Sequence, residues 1–99
     1  MLLLTREMVA AKINDLLAGK TDREDIGWWA FDLLVEPGLE LEIGYQNLLQ
    51  DVLEALQLFH DTEPVMSRFY PEPDDLLYYL RCLRGEEMYR RKRVPHWKV

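Results

Sequence analysis

Leu39-Glu40-Leu41-Glu42-Ile43-Gly44-Tyr45-Gln46-Asn47-Leu48-Leu49-Gln50-Asp51-Val52-Leu53-Glu54-Ala55-Leu56-Gln57-Leu58-Phe59 is the stretch that decides the fold of this 99-residue chain. Leu41, Tyr45, Leu48, Leu49, Val52, Leu56 and Phe59 recur at intervals of mostly three and four. That spacing places them along one side of a helix, while Glu42, Gln46, Gln50, Glu54 and Gln57 take wetter positions. A long helix over roughly 39–59 is therefore expected, with Leu49 and Val52 at the middle of its apolar stripe. Gly44 is its weak point, because glycine inside a helix costs about 1 kcal/mol relative to alanine.

Two shorter helices precede it. Thr5 is placed to cap the first, with Glu7 in the first turn, where negative charge is favoured. Val9, Ile13, Leu16 and Leu17 follow as its stripe, and Gly19 is a natural stop. Thr21-Asp22-Arg23-Glu24 reads as a capping box for the second helix, with Thr21 as cap. Ile26, Trp29, Ala30, Leu33 and Leu34 then share one side, before Pro37-Gly38 ends the segment. On the other flank, the segment from His60 to Pro73 holds three of the five prolines and predicts turns or a short helical piece. A fourth helix is expected at about 74–84, with Asp74 and Asp75 in its first turn, Leu76, Leu77, Leu80 and Leu83 for packing, and Gly85 as its stop.

Short connections favour antiparallel neighbours, so the expected architecture is an all-α, compact three- or four-helix bundle with a basic C-terminal tail. Leu4 and Leu39 are expected to close the bundle ends. The acidic helical domain spans 1–85 and the tail 86–99. No apolar run approaches the roughly 20 residues that span a bilayer, and no signal-peptide pattern opens the chain. The single cysteine, Cys82, excludes an internal disulfide and fits a free thiol in a reducing cytoplasm.

The net charge of −6 hides a gradient. Residues 1–80 carry 16 acidic and five basic side chains, a net −11, whereas residues 81–99 carry two acidic and seven basic ones, a net +5. Such a body repels a phosphate backbone and attracts a basic protein surface. The tail, Arg90-Arg91-Lys92-Arg93-Val94-Pro95-His96-Trp97-Lys98-Val99, either contacts nucleic acid or another anion through Arg90, Arg91, Lys92 and Arg93, or folds back on the body.

No ionisable constellation points to catalysis. His60, Asp61 and Glu63 form the only histidine–carboxylate cluster of the body, and neighbours in sequence do not converge on one helix face. His96 stands apart in the tail. Glycine-rich phosphate loops, zinc-protease patterns and calcium loops are missing from the sequence, and no metal or cofactor is implied. Asp22, Glu24 and Asp25, like Asp74 and Asp75, suit helix starts. The pattern therefore predicts a binding protein rather than an enzyme.

Aromatic pairs supply the candidate contacts. Trp28 and Trp29 are displaced by roughly 100° around a helix, so with Trp29 on the apolar stripe, Trp28 faces a second surface. Tyr78-Tyr79 poses the same problem beside Leu76, Leu80 and Leu83, and serves either as second-face packing or as contact surface. Aromatics among carboxylates are the composition of protein-binding hot spots.

Asp75-Leu76-Leu77-Tyr78-Tyr79 resembles the Asp–apolar–apolar–Tyr–Tyr stretch of small acidic bacterial immunity proteins, which neutralise nuclease toxins. Here the pair is followed by Leu80-Arg81-Cys82-Leu83, where that family has a proline. The resemblance implies a helical inhibitor of a basic nuclease, with Asp75, Tyr78 and Tyr79 at the contact. Together the sequence predicts an acidic protein-binding module using Trp28, Asp74, Asp75, Tyr78 and Tyr79. Its alternatives are a homo-oligomeric or adaptor protein and a nucleic-acid accessory protein.

Overall fold

The chain opens and closes its first half with two short strands, β1 (Leu2–Leu4) and β2 (Leu39–Leu41), separated by two helices, α1 (Arg6–Leu17) and α2 (Arg23–Leu34). A computed structural model describes residues 2–90 of the protein. After β2 come α3 (Gln46–Gln57), a 3-10 turn at Leu58–His60 that continues it, a second 3-10 segment at Pro64–Phe69, and α4 (Pro73–Leu83). The fold is mainly helical, but the all-α expectation is corrected. The strands pair in parallel, with Leu2 opposite Leu39 and Leu4 opposite Leu41.

Gly44 explains that correction. Its φ of +91° lies in the left-handed region, where a helix from Leu39 to Phe59 cannot continue. Leu39–Leu41 are left extended and pair with β1, a parallel arrangement reached through the two intervening helices. Glu42, expected on a wet helix face, instead ties the sheet to α1. Its carboxylate accepts from the Arg6 main-chain N–H at 2.9 Å and from Arg6 Nε at 3.1 Å. Arg6 also lies 3.7 Å over the Tyr45 ring.

Local signals set the helix ends. Thr5 caps α1 as expected, its hydroxyl accepting from the Met8 N–H at 3.3 Å. Asp22, not Thr21, caps α2, with its carboxylate accepting from the Asp25 N–H at 2.8 Å. The extended backbone of Asp22 makes it the last residue before the helix, so the start lies one residue later than the capping-box reading. Gly19 and Gly85 follow α1 and α4 with positive φ.

The core forms where α3 lies against α2, α4 and β2. Leu49, Val52, Leu53 and Leu56 are fully buried, joined by Val9 and Ile13 from α1, Ile26 and Ala30 from α2, and Leu4 from β1. Leu53 falls off the expected stripe yet is buried, because α3 has neighbours on more than one side. Leu17, expected on the α1 stripe, is exposed.

Gly27 records a close approach of backbone to backbone. A Cβ there would stand 2.2 Å from the His60 main-chain nitrogen and 2.6 Å from the Phe59 carbonyl carbon. Only a glycine lets α2 rest directly on the turn that ends α3. Beyond that turn, the Tyr70 hydroxyl donates to the Asp61 carbonyl at 2.5 Å while its ring packs on Phe59, 4.9 Å between centroids.

Residues 86–90, the start of the expected tail, return along α4. Arg81 Nε meets Glu87 Oε1 at 2.8 Å, the Arg90 N–H donates to the Tyr78 hydroxyl at 2.7 Å, and the Tyr89 hydroxyl donates to Asp51 Oδ2 at 2.6 Å. Asp51 sits 1% exposed on α3, a buried carboxylate satisfied in part by a tyrosine 38 residues away. Among the described residues no helix is long and apolar enough to cross a membrane.

Candidate protein-docking face on α2

Close packing at Gly27 has a consequence one residue later. With the Leu58–His60 turn pressed against α2, the His60 ring lies over the helix's outer side, between Trp28 and Phe31. Its centroid is 4.8 Å from each of theirs, and Trp28 meets Phe31 edge-on at 5.5 Å and 84°. His60 Nδ1 is hydrogen-bonded to the Gln57 carbonyl, and only the N–H of the ring can donate there. That bond fixes the orientation of the ring.

Trp28 is thus held by two aromatic neighbours while remaining 44% exposed. Packing of this kind limits the rotamer freedom that a surface tryptophan loses on binding. Glu24 and Asp32 stand one helical turn before and after Trp28, and Asp25 three residues before it; all three are exposed. Among the described residues no ion pair engages them: the salt bridges there are Arg6–Glu42 and Arg81–Glu87. Val35 extends the apolar surface at 61% exposure. Trp29, by contrast, turns inward to half-burial, with Lys12 Nζ 5.3 Å over its ring.

No protein family, curated protein or solved structure matches this chain. The site is therefore read from its own chemistry.

Of the residues singled out in the sequence, Trp28 is placed on an open surface and the tyrosine pair is not. Tyr79 is fully buried and Tyr78 is 4% exposed, their ring centroids 6.2 Å apart. The expectation that they form a contact surface is corrected: both are core, Tyr78 being covered by the returning residues 86–90. Burial pushes the Tyr78 hydroxyl above its ordinary pKa, while the Arg90 N–H it accepts acts in the opposite direction. Asp75 is half-buried and turns its carboxylate back to accept from the Glu72 N–H at 2.9 Å, a helix-start role; Asp74 is exposed. Neither joins Trp28.

Arg90 is exposed at the end of the described chain, and Arg91, Lys92, Arg93 and His96 lie outside the described residues. Cys82 is buried and in no disulfide. His60, Asp61 and Glu63 do not converge as a cluster. Asp61 Oδ1 accepts from the Glu63 N–H at 3.1 Å, a local turn bond, while the His60 ring points into the aromatic face. Among the described residues no group of three or more histidine, cysteine, aspartate or glutamate side chains is arranged to hold a metal.

A groove of about 600 Å³ opens between the start of α3 and the segment after α4, with Tyr45, Leu48, Cys82 and Met88 in its walls. Glu87 on its rim is held by Arg81.

Phe31 was not singled out by the sequence, and His60 only as part of a histidine–carboxylate cluster, not as a docking residue. Phe31 is legible in retrospect as the residue three beyond Trp28. His60 is not, because its place depends on the Gly27 contact.

Proposed function

We propose that the protein is a non-catalytic acidic binding module that docks a basic protein through the Trp28–Phe31–His60 face of α2. The observation that carries this reading is a pre-packed, exposed tryptophan ringed by carboxylates that no cation within the described chain neutralises. The net −11 over residues 1–80 supports it, since complementary charge speeds encounter while a buried aromatic anchor slows release. Masking a basic nuclease, as immunity proteins do, is one form that such a partnership takes. With the tyrosine pair in the core, that form rests on charge and the α2 face.

Affinity capture from the cells that produce the protein, followed by binding measurements on the purified partner, tests the reading. A basic partner is expected, its affinity falling at least about tenfold on Trp28→Ala and falling further with salt. If the partner is a nuclease, stoichiometric addition of this protein should suppress its activity. An acidic partner, or affinity indifferent to Trp28→Ala, would contradict the proposal.

A further inference from the structure

We infer that the α2 face reads arginine in preference to lysine, its occupant being an arginine-bearing segment of the partner protein. This rests on the binding-module reading above and adds the chemical group recognised. The protein contains the same recognition already made. Arg6 lies 3.7 Å over the Tyr45 ring while its guanidinium meets the Glu42 carboxylate at 3.0 Å, an aromatic face and a carboxylate sharing one arginine. Around Trp28 the aromatic face and the carboxylates recur without the arginine. Glu24 and Asp32 stand four residues to either side, about 6 Å along the axis in each direction.

Several other cations of the described chain face other rings. Lys12 lies over Trp29, Arg23 reaches toward Phe59 at 5.8 Å, and Arg68 toward Phe69 at 5.5 Å; none of the described ones lies over Trp28. A planar, weakly hydrated guanidinium stacks on an indole and at the same time donates two parallel hydrogen bonds to a carboxylate. An ammonium is a compact, strongly hydrated point charge and gains less from the ring. A second copy of the same face is a poor occupant, because a two-fold axis near Trp28 would set Glu24, Asp25 and Asp32 against their own copies.

Two synthetic glycine–serine peptides, alike except that one carries four arginines and the other four lysines, test the inference. Each is titrated calorimetrically into the full-length protein at about 50 mM salt, where surface charge is weakly screened. The arginine peptide is expected to bind about tenfold tighter. Trp28→Ala should collapse that ratio toward one with little change for the lysine peptide, Trp28→Phe should retain part of it, and Glu24→Gln with Asp32→Asn should weaken both peptides. Equal binding of the two peptides that Trp28→Ala weakens alike overturns the arginine inference and leaves the basic-partner reading standing, whereas equal binding unaffected by Trp28→Ala overturns both. Binding of neither peptide overturns both. Sedimentation of the protein alone should show a monomer. A dimer lost on replacing Arg90, Arg91, Lys92 and Arg93 with alanine would make a second copy's tail the occupant and overturn the inferred partner.

Discussion

Trp28-Trp29 on α2 and Tyr78-Tyr79 on α4 are the same sequence device with opposite outcomes. In each pair the two side chains leave the helix about 100° apart, so at most one fits the main core stripe. On α2 the second member, Trp28, stays 44% exposed beside Phe31 and His60. On α4 the second member is covered, because residues 86–90 return along the helix and cap the Tyr78 hydroxyl with the Arg90 N–H. An aromatic pair therefore announces a second surface, and the rest of the chain decides whether that surface is internal.

The contrast between the pairs predicts the largest difference in stability. Tyr79→Ala removes a fully buried aromatic and should cost about 3–5 kcal/mol, enough to unfold much of so small a domain. Trp28→Ala removes a ring that is 44% exposed, should cost less, about 1–2 kcal/mol, and leave the fold intact. Urea denaturation of both variants measures the difference.

Gly27→Ala attacks the α2 side of the comparison from beneath. The added methyl collides with main-chain atoms of Phe59 and His60, which cannot rotate away. A loss of about 3 kcal/mol is expected despite alanine's better helix propensity. In whatever fraction remains folded, NMR should show the His60 ring displaced from Trp28. Tyr89→Phe attacks the α4 side. Removing the 2.6 Å bond to the buried Asp51 carboxylate should cost about 2 kcal/mol and loosen the cover over Tyr78, seen as faster amide exchange at Arg90.

The smallest effect concerns Glu42, which lies outside both faces. The Arg6 main-chain N–H, then its guanidinium, hold the Glu42 carboxyl below its ordinary value. Its contribution is therefore fully present above the ordinary carboxylate value of the unfolded chain and is lost as pH falls through the lower folded-state value. The gap in melting temperature between wild type and Glu42→Gln should be small at neutral pH and vanish in acid. A gap that persists in acid would show that the contact acts through something other than ionisation.

What the sequence made legible was local. Thr5, Gly19, Gly85 and most of the stripes of α3 and α4 depend on neighbours within a turn or two, and the structure keeps them, except that Leu41 falls in β2 and Leu77, expected to pack, is exposed. The strand pairing of Leu2–Leu4 with Leu39–Leu41 joins distant segments of three residues each, too short for any periodicity to register. Gly44 signalled the break, but propensity alone does not say that the freed residues will pair. Nothing in the α3 run marks Asp51 as buried, because its partner Tyr89 belongs to a segment that reads as the start of a basic tail. Within the candidate site, Trp28 followed from helical geometry, whereas His60 arrived through a glycine contact that only the packed structure reveals.

Hydroxyl-radical footprinting of the free full-length chain, with each residue's oxidation normalised to the urea-unfolded protein, compares the two pairs in one experiment. Trp28 should be oxidised at a substantial fraction of its unfolded rate, while Tyr78 and Tyr79 are strongly protected. Protection of Trp28 to the level of Tyr79, or oxidation of Tyr78 as rapid as that of Trp28, would contradict an open α2 face opposed to a closed α4 face.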